Sequence, residues 1–139
     1  MMSFLIGDCD VRLLLDTCAM IRLCAEPEAL SSKASTTLKQ ASDAELFISD
    51  ATIFEVALKH STGKLILPLP PREWFTQQCD IWEISTLPLT PEELYRSAEL
   101  PFHHKDPFDR LIIATAMSHC LPVISSDRVF KEYGVEVIW

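Results

Sequence analysis

Glycine is scarce in this 139-residue sequence, with three against nine prolines. That balance suits a helix-rich chain with punctuated element boundaries. No apolar run approaches the roughly 18–20 residues that cross a bilayer, so a membrane-spanning protein is not expected. The start, Met1 to Gly7, lacks the basic segment of a secretory signal and soon reaches Asp8 and Asp10. The five cysteines are odd in number and contain no C-x-x-C pair, which argues against both a disulfide framework and a structural zinc site. Reduced cysteines without an export signal point to a cytoplasmic protein. Basic charge is in deficit too: 20 acids face 12 Lys and Arg, for a net charge of −8. Strong, passive phosphate binding by a basic surface is therefore not expected. Such acidity either serves solubility or marks acids clustered at a site that a cation or a basic partner neutralises.

What is present is enough apolar side chain, 48% of residues, for an ordered domain with a real core. Repeats, low-complexity tracts and linkers are absent, so residues 1–139 read as one domain with a short leader at 1–10. Val11-Arg12-Leu13-Leu14-Leu15 reads as a strand buried on both faces that runs straight into Asp16 and Thr17. Residues 19–25 form a short helix or turn closed by Pro27, and Ser31 or Ser32 caps a polar helix through Gln40. Leu46-Phe47-Ile48 is a second strand. Ser49 or Asp50 then caps a helix from Ala51 to about Thr62, with Gly63 at its C′ position. Pro70 or Pro71 opens a helix through Trp74 and Phe75, and Ile81-Trp82-Glu83-Ile84 reads as a third strand. Thr90-Pro91-Glu92-Glu93 is a capping box whose helix runs to about Glu99. After a loop with His103 and His104, Asp106-Pro107-Phe108-Asp109 starts a largely buried helix, with Asp106 as N-cap and Asp109 at N3. Pro122 to Ser125 is a fourth strand, Asp127 follows, a short helix spans 128–133, and residues 135–139 close the chain as a last strand. This alternation implies an α/β fold: a central, mainly parallel sheet of about five strands with helices on both faces.

In such a sheet, strand C-terminal ends and helix N-termini share the edge where ligands bind. Asp16, Asp109 and Asp127 can converge there, and Glu55 joins them if its helix leans over the same edge. Each acid also has a simpler role. Glu55 can pair with Lys59 at i, i+4 for about 0.2–0.5 kcal/mol, Asp106 and Asp127 can cap helices, and Asp109 can complement a helix dipole for about 0.3–1 kcal/mol. Taken together, four carboxylates in one pocket repel unless a cation is present. Oxygen ligands without His or Cys suit Mg²⁺ or Mn²⁺ rather than zinc. One or two such ions can activate water, hold a phosphodiester and stabilise the leaving oxygen of an in-line displacement.

These segments resemble those of PIN-domain ribonucleases, in particular the VapC-type toxins of bacterial toxin–antitoxin pairs. Leu13-Leu14-Leu15-Asp16-Thr17 is similar to the family's opening strand and first acid. Residues 49–59, with Glu55, and Gly63-Lys64-Leu65 are similar to its second-acid helix. Asp106-Pro107-Phe108-Asp109-Arg110-Leu111-Ile112-Ile113-Ala114 is the most specific match, with Asp109 as third acid, and Ser125-Ser126-Asp127-Arg128-Val129-Phe130 resembles the fourth-acid segment. The resemblance implies a three-layer α/β/α PIN fold and a Mg²⁺- or Mn²⁺-dependent endoribonuclease acting on RNA. It also implies a homodimer and inhibition by a small antitoxin that inserts a basic or bulky segment at the site. Two departures stand out: Cys18 follows Thr17 where relatives often carry Asn, His or another polar residue, and the leader before Val11 is longer than usual.

On this reading Asp16 and Asp109 are the main metal ligands, and Asp127 and Glu55 complete the site directly or through water. Asp106 is read as a cap before a ligand. Thr17 or Ser125 is expected to hydrogen-bond a ligand carboxylate or the scissile phosphate. Arg110 is expected in a structural ion pair, and His103 and His104 as a solvated loop pair, with contact to RNA as the alternative. Two rival functions remain at this point. One is a phosphoryl-transfer domain with Asp16 as nucleophile, which fits poorly because position 18 is Cys where a second acid is expected. The other is a non-catalytic binding or regulatory module whose acids only cap helices.

Overall fold

Three consecutive leucines form the centre of the sheet because each faces a different layer from its neighbour. In the computed structural model, which describes residues 11–40 and 45–139, β1 spans Arg12–Leu15. Leu13 and Leu15 point into one apolar cluster and Leu14 into the other, and all three are buried. An unbroken apolar run is what a strand covered on both faces requires. The remaining strands are β2 (Glu45–Ser49), β3 (Ile84–Leu87), β4 (Val123–Ile124) and β5 (Val137–Ile138). They lie in the order β3-β2-β1-β4-β5, and every pairing is parallel. The expected sheet of about five strands is therefore present. The proposed leader at 1–10 lies outside the described residues.

Among the described residues, six α-helices connect these strands: α1 (Thr17–Ala25), α2 (Ser32–Gln40), α3 (Asp50–Ser61), α4 (Pro71–Trp82), α5 (Pro91–Glu99) and α6 (Pro107–His119). One cluster packs Met20 and Leu23 of α1, Ala34 of α2, Val56 of α3 and Trp74 of α4 against Leu13, Leu15, Ile48 and Ile84. The other packs Ile112, Ile113 and Ala116 of α6, with Phe130, against Leu14, Phe47 and Val123. Helix α5 packs along α6. This is the three-layer α/β/α arrangement. No described helix is long and apolar enough to cross a membrane.

Most boundaries follow local chemistry. Ser49 Oγ accepts the Ala51 N–H at the start of α3, and Gly63, at φ +76°, sits just past that helix's end, where a left-handed residue is needed. At α5 both bonds of the Thr90–Glu93 capping box are made. The third strand is displaced from its expected place. Ile81 and Trp82 finish α4, Glu83 takes the left-handed conformation at φ 54°, and the strand begins at Ile84. Ser85 and Thr86 are exposed on this edge strand, so it carries little apolar signal, whereas the Ile-Trp pair ahead of it carries much. The last strand covers only Val137 and Ile138, because its neighbour β4 is itself two residues long.

The chain leaves β1 towards β2 on one side, then returns after β3 to place β4 on the other side of β1. The carboxyl ends of β1 and β4 therefore flank a topological switch point, where open α/β sheets form a crevice. Leu15 is in register with Ile124, so the residues just beyond them, Asp16 and Ser125, are neighbours.

Candidate metal centre

Asp16 is fixed at this crevice from two directions. Its backbone N–H donates to Ile124 O at 3.1 Å, and its side chain caps α1 by accepting the Ala19 N–H at 2.8 Å. Asp109 sits in the first turn of α6, whose N-cap is Asp106; Asp106 Oδ1 accepts the N–H groups of Phe108 at 2.8 Å and Asp109 at 3.3 Å. Asp127 follows β4 and caps the 3₁₀ turn Arg128–Tyr133 through the Val129 N–H. Glu55 lies in the second turn of α3 and is buried at 5% exposure. Its Oε2 is engaged by Lys59 Nζ, so the i, i+4 pair exists, but around a buried acid rather than an exposed one. Glu55 Oε1 is buried with no hydrogen-bond partner.

The charges act on each other. Burial pushes the Asp16 carboxyl up to about 6, and the neighbouring Asp127 and Glu55 add to the rise, while the Ser125 hydroxyl and the Ala19 N–H oppose it. Burial likewise pushes Asp109 up to about 7, with Asp106, Asp16 and Glu55 adding and His104 opposing. Four carboxylates from β1, α3, α6 and the end of β4 are thus within electrostatic reach of one another, and two of them resist ionisation. An all-oxygen set with one buried oxygen unpartnered fits a hard divalent cation.

The supporting residues fall into two groups. The Ser125 hydroxyl lies close enough to Asp16 to favour its ionised form, and it accepts the Asp127 N–H at 3.0 Å. The Thr17 hydroxyl instead pairs with that of Thr52 at 3.0 Å, which ties α1 to the helix bearing Glu55. Cys18 is an exposed residue beside the site, and partial desolvation of its sulfur, followed by the Asp16 charge, raises its thiol pKa.

Two expectations need correction. Arg110 makes no ion pair among the described residues. It donates to four carbonyls, those of Ser97, Leu100, Pro101 and His104, at 2.7–3.1 Å, and stacks on Phe102 at 4.3 Å. A buried guanidinium with five donors satisfies a loop of carbonyls as well as it does a carboxylate. His104 is not a solvated loop residue. Its Nε2 lies 2.8 Å from Asp127 Oδ2 and 3.0 Å from Asp109 Oδ2. The carbonyls captured by Arg110 turn the loop so that His104 points inward, while His103 remains exposed against Tyr133. The one sequence signal for His104 was its place two residues before the Asp106 cap.

An acid-lined crevice at the switch point of a five-stranded parallel sheet defines an α/β protein with an acidic site at the carboxyl edge of its sheet. Residues 13–136 match the family model of the PIN domain, and the chain belongs to the PIN-domain family. It is 31% identical over 121 residues to Ribonuclease VapC22 of Mycobacterium tuberculosis, covering 86% of this chain and 90% of that protein. In structure it is similar to VapBC2 from Rickettsia felis, solved bound to a DNA fragment from the promoter, with a TM-score of 0.66, 14% identity, and coverage of 91% of this chain and 97% of the other. It is equally similar to DNA-bound VapBC from Salmonella typhimurium, with a TM-score of 0.66, 16% identity, and coverage of 91% and 96%. At these identities the structural likeness speaks for the fold. The family read from the four acid-bearing segments is the family found.

Proposed function

We propose that this chain is a metal-dependent endoribonuclease that hydrolyses RNA phosphodiester bonds and serves as the toxin of a toxin–antitoxin pair. The observation that carries the metal dependence is the buried, unpartnered Glu55 Oε1 beside two carboxyls held above their ordinary range by burial and mutual repulsion. Asp16, Asp109, Asp127 and Glu55 would hold Mg²⁺ or Mn²⁺. Such an ion, when bound, supplies an activated water and charge stabilisation at the phosphate.

The chain's own residues set up that chemistry. The Ala19 N–H orients Asp16, and the Ser125 hydroxyl favours its ionised form. Lys59 holds one oxygen of Glu55 and leaves the other free, and its half-exposed ammonium adds positive charge at the rim, where a phosphate would arrive. Thr17 and Thr52 keep the first two acid-bearing elements in register. The net charge of −8 is compatible with an RNA substrate because the phosphate is met by the cation and not by a basic surface. The same reading includes a small antitoxin as partner, which the likeness to the VapBC complexes supports, together with a homodimer and a place in the cytoplasm.

The test is Mn²⁺-dependent cleavage of a mixed RNA substrate, run beside Mn²⁺ titration of thermal stability. Cleavage by the wild-type chain and its loss in Asp16→Asn, with the fold kept, is the expected result. Mn²⁺ and RNA binding without cleavage would refute the enzymatic reading and leave a binding module. Transfer of phosphate to Asp16 from a phosphodonor would point to the phosphoryl-transfer rival.

A further inference from the structure

His104 is held on every side. Its backbone N–H donates to the Tyr133 hydroxyl at 2.8 Å and its carbonyl accepts from Arg110 at 3.0 Å. The ring lies edge-on to Phe130, 6.0 Å between centroids, and the side chain is only 15% exposed. The ring's two nitrogens have separate tasks. Nδ1 accepts the Asp106 N–H at 3.2 Å, so its lone pair is in use and the ring proton sits on Nε2. That Nε2–H then points between two carboxylate oxygens, Asp127 Oδ2 at 2.8 Å and Asp109 Oδ2 at 3.0 Å. The three side chains bring their ligand-type atoms within 4.8 Å of one another. A protonated nitrogen has no lone pair to give a cation, so only the two carboxylates among them are ligands.

The geometry points to His104 as a positioning residue of the metal centre: its Nε2–H bridges the carboxylates of Asp109 and Asp127 and holds them in the converged arrangement that receives the cation. The inference rests on the proposed metal site and adds a residue outside the four acids. Asp109 comes from α6 and Asp127 from the turn after β4, and no backbone hydrogen bond joins the two acids directly. One shared donor sets the spacing between them. It also keeps the ligand set all-oxygen, which favours hard cations. Partners that orient metal ligands in this way typically change metal affinity about 10–100-fold when lost.

The experiment measures Mn²⁺ affinity by calorimetry on metal-free wild type, His104→Gln and His104→Phe, with thermal unfolding as the check on folding. Gln carries an N–H donor at similar reach, and Phe keeps the ring without it. We expect His104→Phe to weaken Mn²⁺ binding about tenfold or more and His104→Gln to stay within about threefold of wild type. Should His104→Phe fail to fold, His104→Leu supplies the donor-free comparison. With Co²⁺ as a spectroscopic probe, wild type and His104→Gln should give superimposable visible bands, since no nitrogen ligand is lost. A donor-free variant that binds Mn²⁺ as tightly as wild type overturns the inference, and so does a shifted Co²⁺ spectrum in His104→Gln. If wild type itself binds no Mn²⁺, both this inference and the metal-dependent function fall. Tight wild-type binding that is indifferent to residue 104 removes only the role of His104.

Discussion

Asp16→Asn should make the metal-free protein more stable while removing its activity. The Asp16 carboxyl is 4% exposed and raised from 3.8 to about 6, first by burial and then by the Asp127 and Glu55 charges. A rise of about two units, at ~1.36 kcal/mol each, means that ionised Asp16 costs about 3 kcal/mol. Asn caps helices about as well as Asp, so the Ala19 N–H keeps its acceptor and the relief of charge is not offset there. The folded-state pKa lies above the unfolded one. The wild-type protein therefore has the full contribution of neutral Asp16 below about pH 4 and loses it as pH rises through about 6. The variant's advantage is absent below about pH 4, grows between about 4 and 6, and is complete near pH 8. At a few degrees per kcal/mol for a chain of this size, the melting temperature at about pH 8 should rise by roughly 5–10 °C. Thermal unfolding followed by circular dichroism, at several pH values after chelation, measures this. An equal or lower melting temperature near pH 8, or a gain that persists near pH 3.5, would refute the reasoning. Added Mn²⁺ should reverse the order: at 100 times its dissociation constant an ion stabilises its binder by about 2.7 kcal/mol, and the variant, short of one ligand, should gain far less.

Four further outcomes are expected. Arg110→Met should cost about 3 kcal/mol or more in urea denaturation, because it removes the donor from the buried bonds to the Ser97 and Leu100 carbonyls and from the His104 carbonyl; Arg110→Lys should recover little, since one ammonium cannot reach them all. Lys59→Met should destabilise the metal-free protein by about 1–3 kcal/mol, as Glu55 would then be buried with neither oxygen partnered; adding Glu55→Gln should restore most of the loss, and a second loss on top of the first would contradict the pairing. Alkylation of Cys18 by iodoacetamide at about pH 8 should be slower than that of an unstructured cysteine, because burial and then the Asp16 charge raise its thiol; Asp16→Asn should quicken it. Thr90→Ala should lower stability by about 1 kcal/mol through loss of the capping box.

Where the determinants were local, they were legible along the chain. Asp106 with Pro107, the Thr90–Glu93 box and the Ser49 cap each act within three residues of themselves, so their helices begin where expected. The unbroken leucines of β1 could only mean a strand covered on both faces. Parallel α/β geometry by itself assigns Asp16, Asp109 and Asp127 to one edge. The third strand was misplaced for an equally local reason: Ile81 and Trp82 look like strand but complete α4 on its exposed side, and the true edge strand carries Ser85 and Thr86 outward.

By itself, then, the sequence determined the family, the order of elements and the set of acids, because each depends on residue type and on spacing of a few positions. Only the tertiary structure decided what those acids meet. His104 reaches Asp127 across 23 residues, Thr17 meets Thr52 across 35, and Arg110 closes a loop that begins 13 residues earlier. The orphaned Glu55 oxygen was likewise beyond reading, since a Glu four residues before a Lys looks the same whether exposed or buried. Such contacts form between elements brought together by packing, and a hydrogen bond leaves no periodicity in the chain from which its partner can be inferred.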